Sequence, residues 1–184
     1  MLSIILPNHN EPNLEIMIRE LSRLYPEAQI IVSNDPNGRG KGWAVWQGRT
    51  QVASYPVIFL DADGDISPYE IEKLLRYAGQ YDIVVGKKQL PKNFFRKLLT
   101  LFSRLFIRML FGIKVDTQTG IKLFNYLPDW SCDGWAFDIE ILYRAKKFGK
   151  TMKEVPIIAR VSDNKSLKDI WTTLKDSIGI RYSV

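Results

Sequence analysis

A chain of 184 residues, 46% apolar and 25% charged, is long enough for one substantial core and is not of disordered composition. A single cysteine excludes an intramolecular disulfide, and with only one histidine beside it a His/Cys zinc site is excluded too. The net charge of +6 is local, because Lys92, Arg96, Lys97, Arg104, Arg108 and Lys114 lie between Pro91 and Val115 with no acid among them, which leaves the rest of the chain neutral.

Ser3 to Leu6 is a short apolar run closed by Pro7, and Asn8, His9, Asn10, Glu11 and Pro12 are turn formers, so a strand and its loop are expected here. The run has neither the basic flank nor the long apolar core of a signal peptide, and the lone cysteine suits a reducing compartment; a cytoplasmic protein is expected. Asn13 is placed to cap a helix in which Leu14, Met17, Ile18, Leu21 and Leu24 recur at helical spacing. Pro26 ends that helix, and Ala28 to Val32 reads as a second buried strand. A βαβ start predicts a mostly parallel sheet covered by helices, an α/β class in which ligands sit beyond the carboxyl ends of the strands.

The next loop, SNDPNGRGKGWAVWQG, holds Gly38, Gly40 and Gly42 with Lys41 among them, and a helix is expected from about Trp43. Its amides and its one cation are candidates for a phosphate, although the glycine spacing is not that of a P-loop. Val57 to Leu60 then reads as a fully buried strand ending in Asp61, Asp63 and Asp65. A regular strand would space these three roughly 7 Å apart along one face, whereas a tight turn at Gly64 lets several converge. Converging carboxylates repel one another and call for a cation. Hard oxygen donors favour Mg²⁺ or Mn²⁺, and Mg²⁺ takes one or two carboxylates and completes its shell with water and substrate phosphates, so a diphosphate ligand is implied.

Pro68 to Tyr77 is an expected helix, and Tyr81 to Val85 a fourth strand that ends at Gly86, Lys87 and Lys88. In FFRKLLTLFSRLFIRMLF, from Phe94 to Phe111, Arg96, Thr100, Arg104 and Arg108 recur every four residues among bulky apolar side chains. Its polar breaks exclude a membrane span. A helix lying in the membrane interface is expected, apolar side in the acyl chains and arginines toward anionic headgroups. The polar turn DTQTG, with Asp116 and Gly120, precedes a short apolar segment. CDGWAFDIEILYRAKKFG is an expected helix with Asp133, Asp138 and Glu140 near its start, EVPIIARV a last strand, and Asn164 to Ser177 a tail helix.

The order of these motifs, LPNHNEPN, GKGWAVWQG, FLDADGDISP, DIVVG, RKLLT, DTQTGIKLF, FDIEILYRAKKFG and EVPI, followed by the Arg160 to Ser166 stretch, resembles the family 2 glycosyltransferases of GT-A fold over nearly the whole chain. The resemblance is to their polyprenyl-phosphate branch, typified by dolichol-phosphate mannose synthase. It implies one GT-A domain over residues 1–184, a Rossmann-like, mostly parallel sheet flanked by helices. By that resemblance Pro7 and Glu11 border the base and ribose, and Asn10, Asn34, Asp35, Lys41, Asp61, Ala62 and Asp63 complete a nucleotide-sugar site. Asp61, Asp63 and Asp65 are the metal candidates, for Mg²⁺ or Mn²⁺. Arg96 and Thr100, with Arg160, Lys165, Ser166, Lys87 and Lys88, are the candidates for acceptor phosphate or leaving diphosphate.

The implied reaction is a metal-dependent, inverting transfer of a hexose from a donor of GDP-mannose or UDP-glucose type to a polyprenyl or dolichyl phosphate, by an enzyme peripherally bound to the cytoplasmic membrane face. Asp63, Asp65 and Arg96 are the candidate catalytic groups. Asp116 and Asp138 become candidate bases if the acceptor is a hydroxyl, as it would be in an enzyme building a polysaccharide or glycan. A nucleic-acid-binding protein is the alternative from another class, disfavoured because the basic helix sets its charges among bulky apolar residues. A binding protein without turnover is a further one, since Ser33, Asn34, Asp35 and Pro36 replace the usual paired aspartates and the segment that follows them is missing.

Overall fold

The computed structural model describes residues 1–91, 93–160 and 167–183. Strands β1 (Ser3–Asn8), β2 (Gln29–Asn34), β3 (Val57–Leu60), β4 (Ile83–Lys87), β5 (Ile121–Phe124) and β6 (Met152–Pro156) form one sheet in the order β2-β1-β3-β5-β4-β6. The helices are α1 (Leu14–Leu24), α2 (Lys41–Arg49), α3 (Ile71–Leu75), α4 (Phe94–Phe111), α5 (Phe137–Lys147) and α6 (Leu167–Ser183). Side chains alternate across each strand, which is why the sheet has two cores. Ile5, Val57, Phe59, Ile83 and Val85 face α2, α4, α5 and α6, while Ile4, Leu6, Ile58, Leu60 and Val84 face α1 and α3.

The mostly parallel sheet is as expected, with one reversal: β5 runs antiparallel to both β3 and β4, and the other neighbours pair in parallel. The reversal decides where the chain's polar turns meet. Because β5 runs backwards, its starting end lies beside the carboxyl end of β3, and the amide of Asp61 donates to the Gly120 carbonyl at 2.8 Å. A Cβ on Gly120 would overlap the Asp61 carboxylate, so this approach requires glycine.

Several boundaries differ from the sequence expectation. The second helix begins at Lys41, and the expected Pro68 to Tyr77 helix divides into a 3₁₀ turn, Pro68–Glu70, and the short α3. Helix α5 begins only at Phe137, leaving Asp133 in the preceding loop, where it pairs with Arg39 at 2.6 Å. The last strand stops at Pro156, beyond which Ala159 bridges to Ile66, and α6 runs on to Ser183. Asn13 precedes α1 without capping it; its side-chain amide donates instead to the Asp63 carbonyl at 2.6 Å, tying the first helix to the acidic turn.

Helix α4 spans the expected residues, capped by the Asn93 side chain on the Arg96 amide and ended by Gly112 in the left-handed conformation. Its orientation departs from the expectation that all the arginines face outward toward headgroups: Arg96 and Arg104 turn inward, while Arg108 is exposed. Ser103, Ile107 and Phe111 are buried, Arg96, Thr100 and Arg104 line a cavity at the end of the sheet, and Phe94, Phe95, Leu98, Phe102, Leu105 and Met109 are exposed. Among the described residues, no helix is long and apolar enough to cross a membrane.

The loop leading into α5 is held from below by Glu140. Its fully buried carboxylate accepts from the amide and hydroxyl of Ser131 and from the amide of Cys132 at 2.8 to 3.1 Å, and pairs with Arg144 at 2.7 Å. Glu140→Ala leaves those donors and the guanidinium uncompensated, and urea unfolding is expected to show a loss of about 3 kcal/mol. A loss below about 1 kcal/mol would mean that the loop is held by other contacts.

Candidate functional site

Three loops converge at the carboxyl ends of β1, β2 and β3 to form a cavity of about 310 Å³. Pro7 and Glu11 line it from the first loop, Asp35 and Lys41 from the second, and Asp61, Ala62 and Asp63 from the third. A second cavity, of about 220 Å³, lies between the acidic turn and α4 and is lined by Asp65, Lys88, Arg96, Thr100, Asp116 and Arg160, again with Asp61 and Asp63. Of the residues expected at the nucleotide sugar, Pro7, Glu11, Asp35, Lys41, Asp61, Ala62 and Asp63 line the first cavity; of those expected at the acceptor or leaving phosphate, Lys88, Arg96, Thr100 and Arg160 line the second.

Other candidates lie elsewhere. Asn10, in a left-handed turn, and Asn34, which accepts from the Asn8 side chain at 2.7 Å, are exposed and line neither cavity. Lys87 turns away to Glu154 at 2.6 Å. Lys165 and Ser166 lie outside the described residues. Asp116 is buried and committed to Arg104 at 2.5 Å, its other oxygen accepting from the Gln118 amide, and is therefore not poised as a base.

Asp138, expected as a possible base, is buried beneath the cavities as part of a chain of four charges. Lys41 Nζ lies 2.6 Å from Asp61 and 3.5 Å from Asp138, and Asp138 lies 2.6 Å from Lys122 Nζ, which also donates to the Thr119 carbonyl at 2.6 Å. Lys122, 1% exposed, was not singled out in the sequence; its only mark there is one cation between Ile121 and Leu123 in an otherwise apolar strand. Burial lowers the pKa of Lys122 against the pull of Asp138. Burial also works against Lys41 and Asp61, but here pairing wins: Asp138 and Asp61 raise Lys41, and Lys41 leads in lowering Asp61.

The acidic turn does not gather its three carboxylates into a cage, and among the described residues no group of three His, Cys, Asp or Glu side chains is placed to share a metal ion. Asp63 accepts from the Asp65 amide at 2.9 Å, with Gly64 between them at φ +80°. Burial and the charges of Asp61 and Asp65 hold the Asp63 pKa above its ordinary value, and burial with Asp63 and Asp61 does the same for Glu11. This crowding of negative charge around Asp63 fits a cation held by one or two carboxylates and completed by a ligand's oxygens.

The glycines of the GKG segment serve a different purpose from the one expected. A Cβ at Gly40 would come within 2.5 Å of the Asp133 carbonyl, and one at Gly42 would overlap that of Cys132, so both glycines let α2 press against the loop before α5. The amides of Arg39 and Gly40 are taken by the Asp35 carboxylate at 3.0 and 2.7 Å, and that of Trp43 by the Asp133 carbonyl. They are not available to a phosphate.

A six-stranded, mostly parallel sheet with a single reversed strand, flanked by helices, is the fold of the GT-A glycosyltransferases. No protein-family model matches the chain. It is 27% identical to dolichyl-phosphate beta-glucosyltransferase of Dictyostelium discoideum, over 97% of this chain and 62% of that protein. It is 22% identical to undecaprenyl-phosphate mannosyltransferase of Micrococcus luteus, over 83% of this chain and 81% of that protein. The fold matches glucosyl-3-phosphoglycerate synthase from Mycobacterium tuberculosis, crystallised with Mn²⁺ and UDP-Glc, with a TM-score of 0.75 at 18% identity, covering 99% of this chain and 78% of that one. The chain has the fold of the GT-A glycosyltransferases, and its relatives in sequence include polyprenyl-phosphate sugar transferases. It spans less than two thirds of the length of the Dictyostelium protein.

Asp138→Asn leaves Lys122 buried beside a neutral partner, at an expected cost of about 3 kcal/mol in urea unfolding. In the double variant Lys122→Met with Asp138→Leu the buried pair is replaced by apolar groups, and the loss should be smaller than for Asp138→Asn alone. Equal or greater loss in the double variant would show that the pair is not a coupled unit.

Proposed function

We propose that this chain transfers a hexose from a nucleotide diphosphate sugar, of GDP-mannose or UDP-glucose type, to a polyprenyl or dolichyl phosphate at a membrane surface. The observation that carries this proposal is the pair of cavities meeting at Asp61 and Asp63. The first presents polar loops to a nucleotide. The second combines Lys88, Arg96, Arg104 and Arg160 with the inner side of a helix whose outer side is exposed and apolar, a combination suited to a phosphate head on a lipid tail. The names of the sequence relatives support the same acceptor class.

In this mechanism Asp63, with Asp61 or Asp65, would hold Mg²⁺ or Mn²⁺ against the diphosphate. The ion would offset the negative charge growing on the departing nucleoside diphosphate. Asp61 is already oriented by Lys41, and Lys88 adds positive charge next to the acidic turn. Arg96, at the start of α4, would orient the acceptor phosphate, with Arg160 as a second positive group on the same cavity. A phosphate is ionised at neutral pH and needs no base. The commitment of Asp116 to Arg104 accords with that, and it argues against transfer to a sugar hydroxyl.

The exposed Phe94, Phe95, Leu98, Phe102, Leu105 and Met109 would enter the acyl boundary, bringing the mouth of the second cavity to the headgroup level.

The decisive experiment offers labelled UDP-glucose or GDP-mannose with dolichyl or undecaprenyl phosphate and Mn²⁺, and follows label into organic-soluble product. Asp63→Ala and chelation of the metal are each expected to reduce transfer by at least about a hundredfold, with the fold intact by circular dichroism. Transfer retained by Asp63→Ala would refute the assignment of the acidic turn. Replacing Phe95 and Leu98 by Glu should abolish co-flotation with anionic vesicles; unchanged flotation would exclude α4 as the membrane contact.

A further inference from the structure

We infer that the indole of Trp135 is the platform on which the donor's sugar ring lies; the inference rests on the nucleotide-sugar reading above. Among the described residues, only Asp61, Asp63 and Trp135 line both cavities. A group passed from a donor in one cavity to an acceptor in the other must cross that junction. Trp135 is 55% exposed, so much of the largest aromatic surface available to a protein faces the space where the group would be transferred.

An exposed tryptophan on a loose loop would mean little, but this loop is tied down on every side. Glu140 grips Ser131 and Cys132 from below, and the Trp130 indole donates to the Gly42 carbonyl at 3.1 Å. The Trp43 amide bonds the Asp133 carbonyl, and Arg39 pairs with the Asp133 carboxylate. The close approach that Gly40 and Gly42 permit therefore fixes the Trp135 loop, which gives the GKG segment a role that its sequence does not display. The Lys41 ammonium lies 5.7 Å from the centre of the Trp135 ring while bonded to Asp61, so the ring and the carboxylate keep a set relation.

The chemistry suits a sugar. A hexopyranose presents C–H groups on its faces and hydroxyls around its edge. A flat aromatic ring covers a face without demanding hydrogen bonds, while adjacent carboxylates accept from edge hydroxyls. A ring at this place would hold the hexose still as its bond to the diphosphate breaks, and would favour sugars with an unobstructed apolar face.

The test compares wild type, Trp135→Ala and Trp135→Phe by calorimetry, titrating UDP-glucose, UDP, GDP-mannose and GDP in the presence of Mn²⁺. For the nucleotide that wild type accepts, Trp135→Ala should weaken the nucleotide sugar about tenfold. It should leave the bare nucleotide within about twofold, which also shows that the variant is folded. Trp135→Phe should keep most of the affinity. Equal weakening of sugar-bearing and bare nucleotide would assign the ring to the nucleotide or to loop stability and overturn the inference, as would no change in either. If wild type bound none of the four, the nucleotide-sugar reading itself would fall, and the inference with it.

Discussion

Four charges, two buried and two partly buried, gathered at one end of the central strands govern this molecule. Lys41 and Asp61, Lys41 and Asp138, and Lys122 and Asp138 form a continuous chain, and each member comes from a different element or its edge: α2, the end of β3, β5 and α5. The buried members, Lys122 and Asp138, do not tolerate burial alone, since an unpaired charge in such surroundings costs several kcal/mol, and Lys41 and Asp61 extend their pairing to the cavity surface. Folding must therefore bring all four segments to the same place at once. The site is a condition of the fold rather than an ornament on it, and the lower charges, Asp138 and Lys122, support the upper ones that face the cavities.

The direction of β5 has the same kind of reach. Entering the sheet from its ligand-bearing edge, it needs no return crossing, so the chain from Lys88 to Gly120, including the whole of α4, stays on that side. Helix α4 can then have two different faces in use. Toward the site it contributes Arg96, Thr100 and Arg104; away from it, apolar side chains that no described element covers. The cationic stripe and the apolar surface are one device, with phosphate drawn inward and acyl chains left outward in the proposed reaction.

The element order, the buried strands, the acidic turn and α4 could be read from the sequence because each is local. Val57 to Leu60 is apolar without interruption, Gly64 marks its own turn, and the α4 period is regular over five turns. The Asp133 position, the short α3 and the orientation of the arginines were not legible in this way. A period of four residues places Arg96, Thr100 and Arg104 on one face, but it does not say what that face meets. Here Asp116, more than ten residues further on, draws Arg104 inward.

The sequence alone thus determined the class of fold, the family it resembles and the acidic turn, since hydrophobic period and motif order are written along the chain. Tertiary structure alone decided that β5 is reversed, that Lys122 and Asp138 form a buried pair and that Gly40 and Gly42 admit the backbone of another loop. It also decided that Trp135 stands where two cavities join. These depend on distances between residues remote in the chain, and on which charges remain in water once the sheet is covered, neither of which has a local signature.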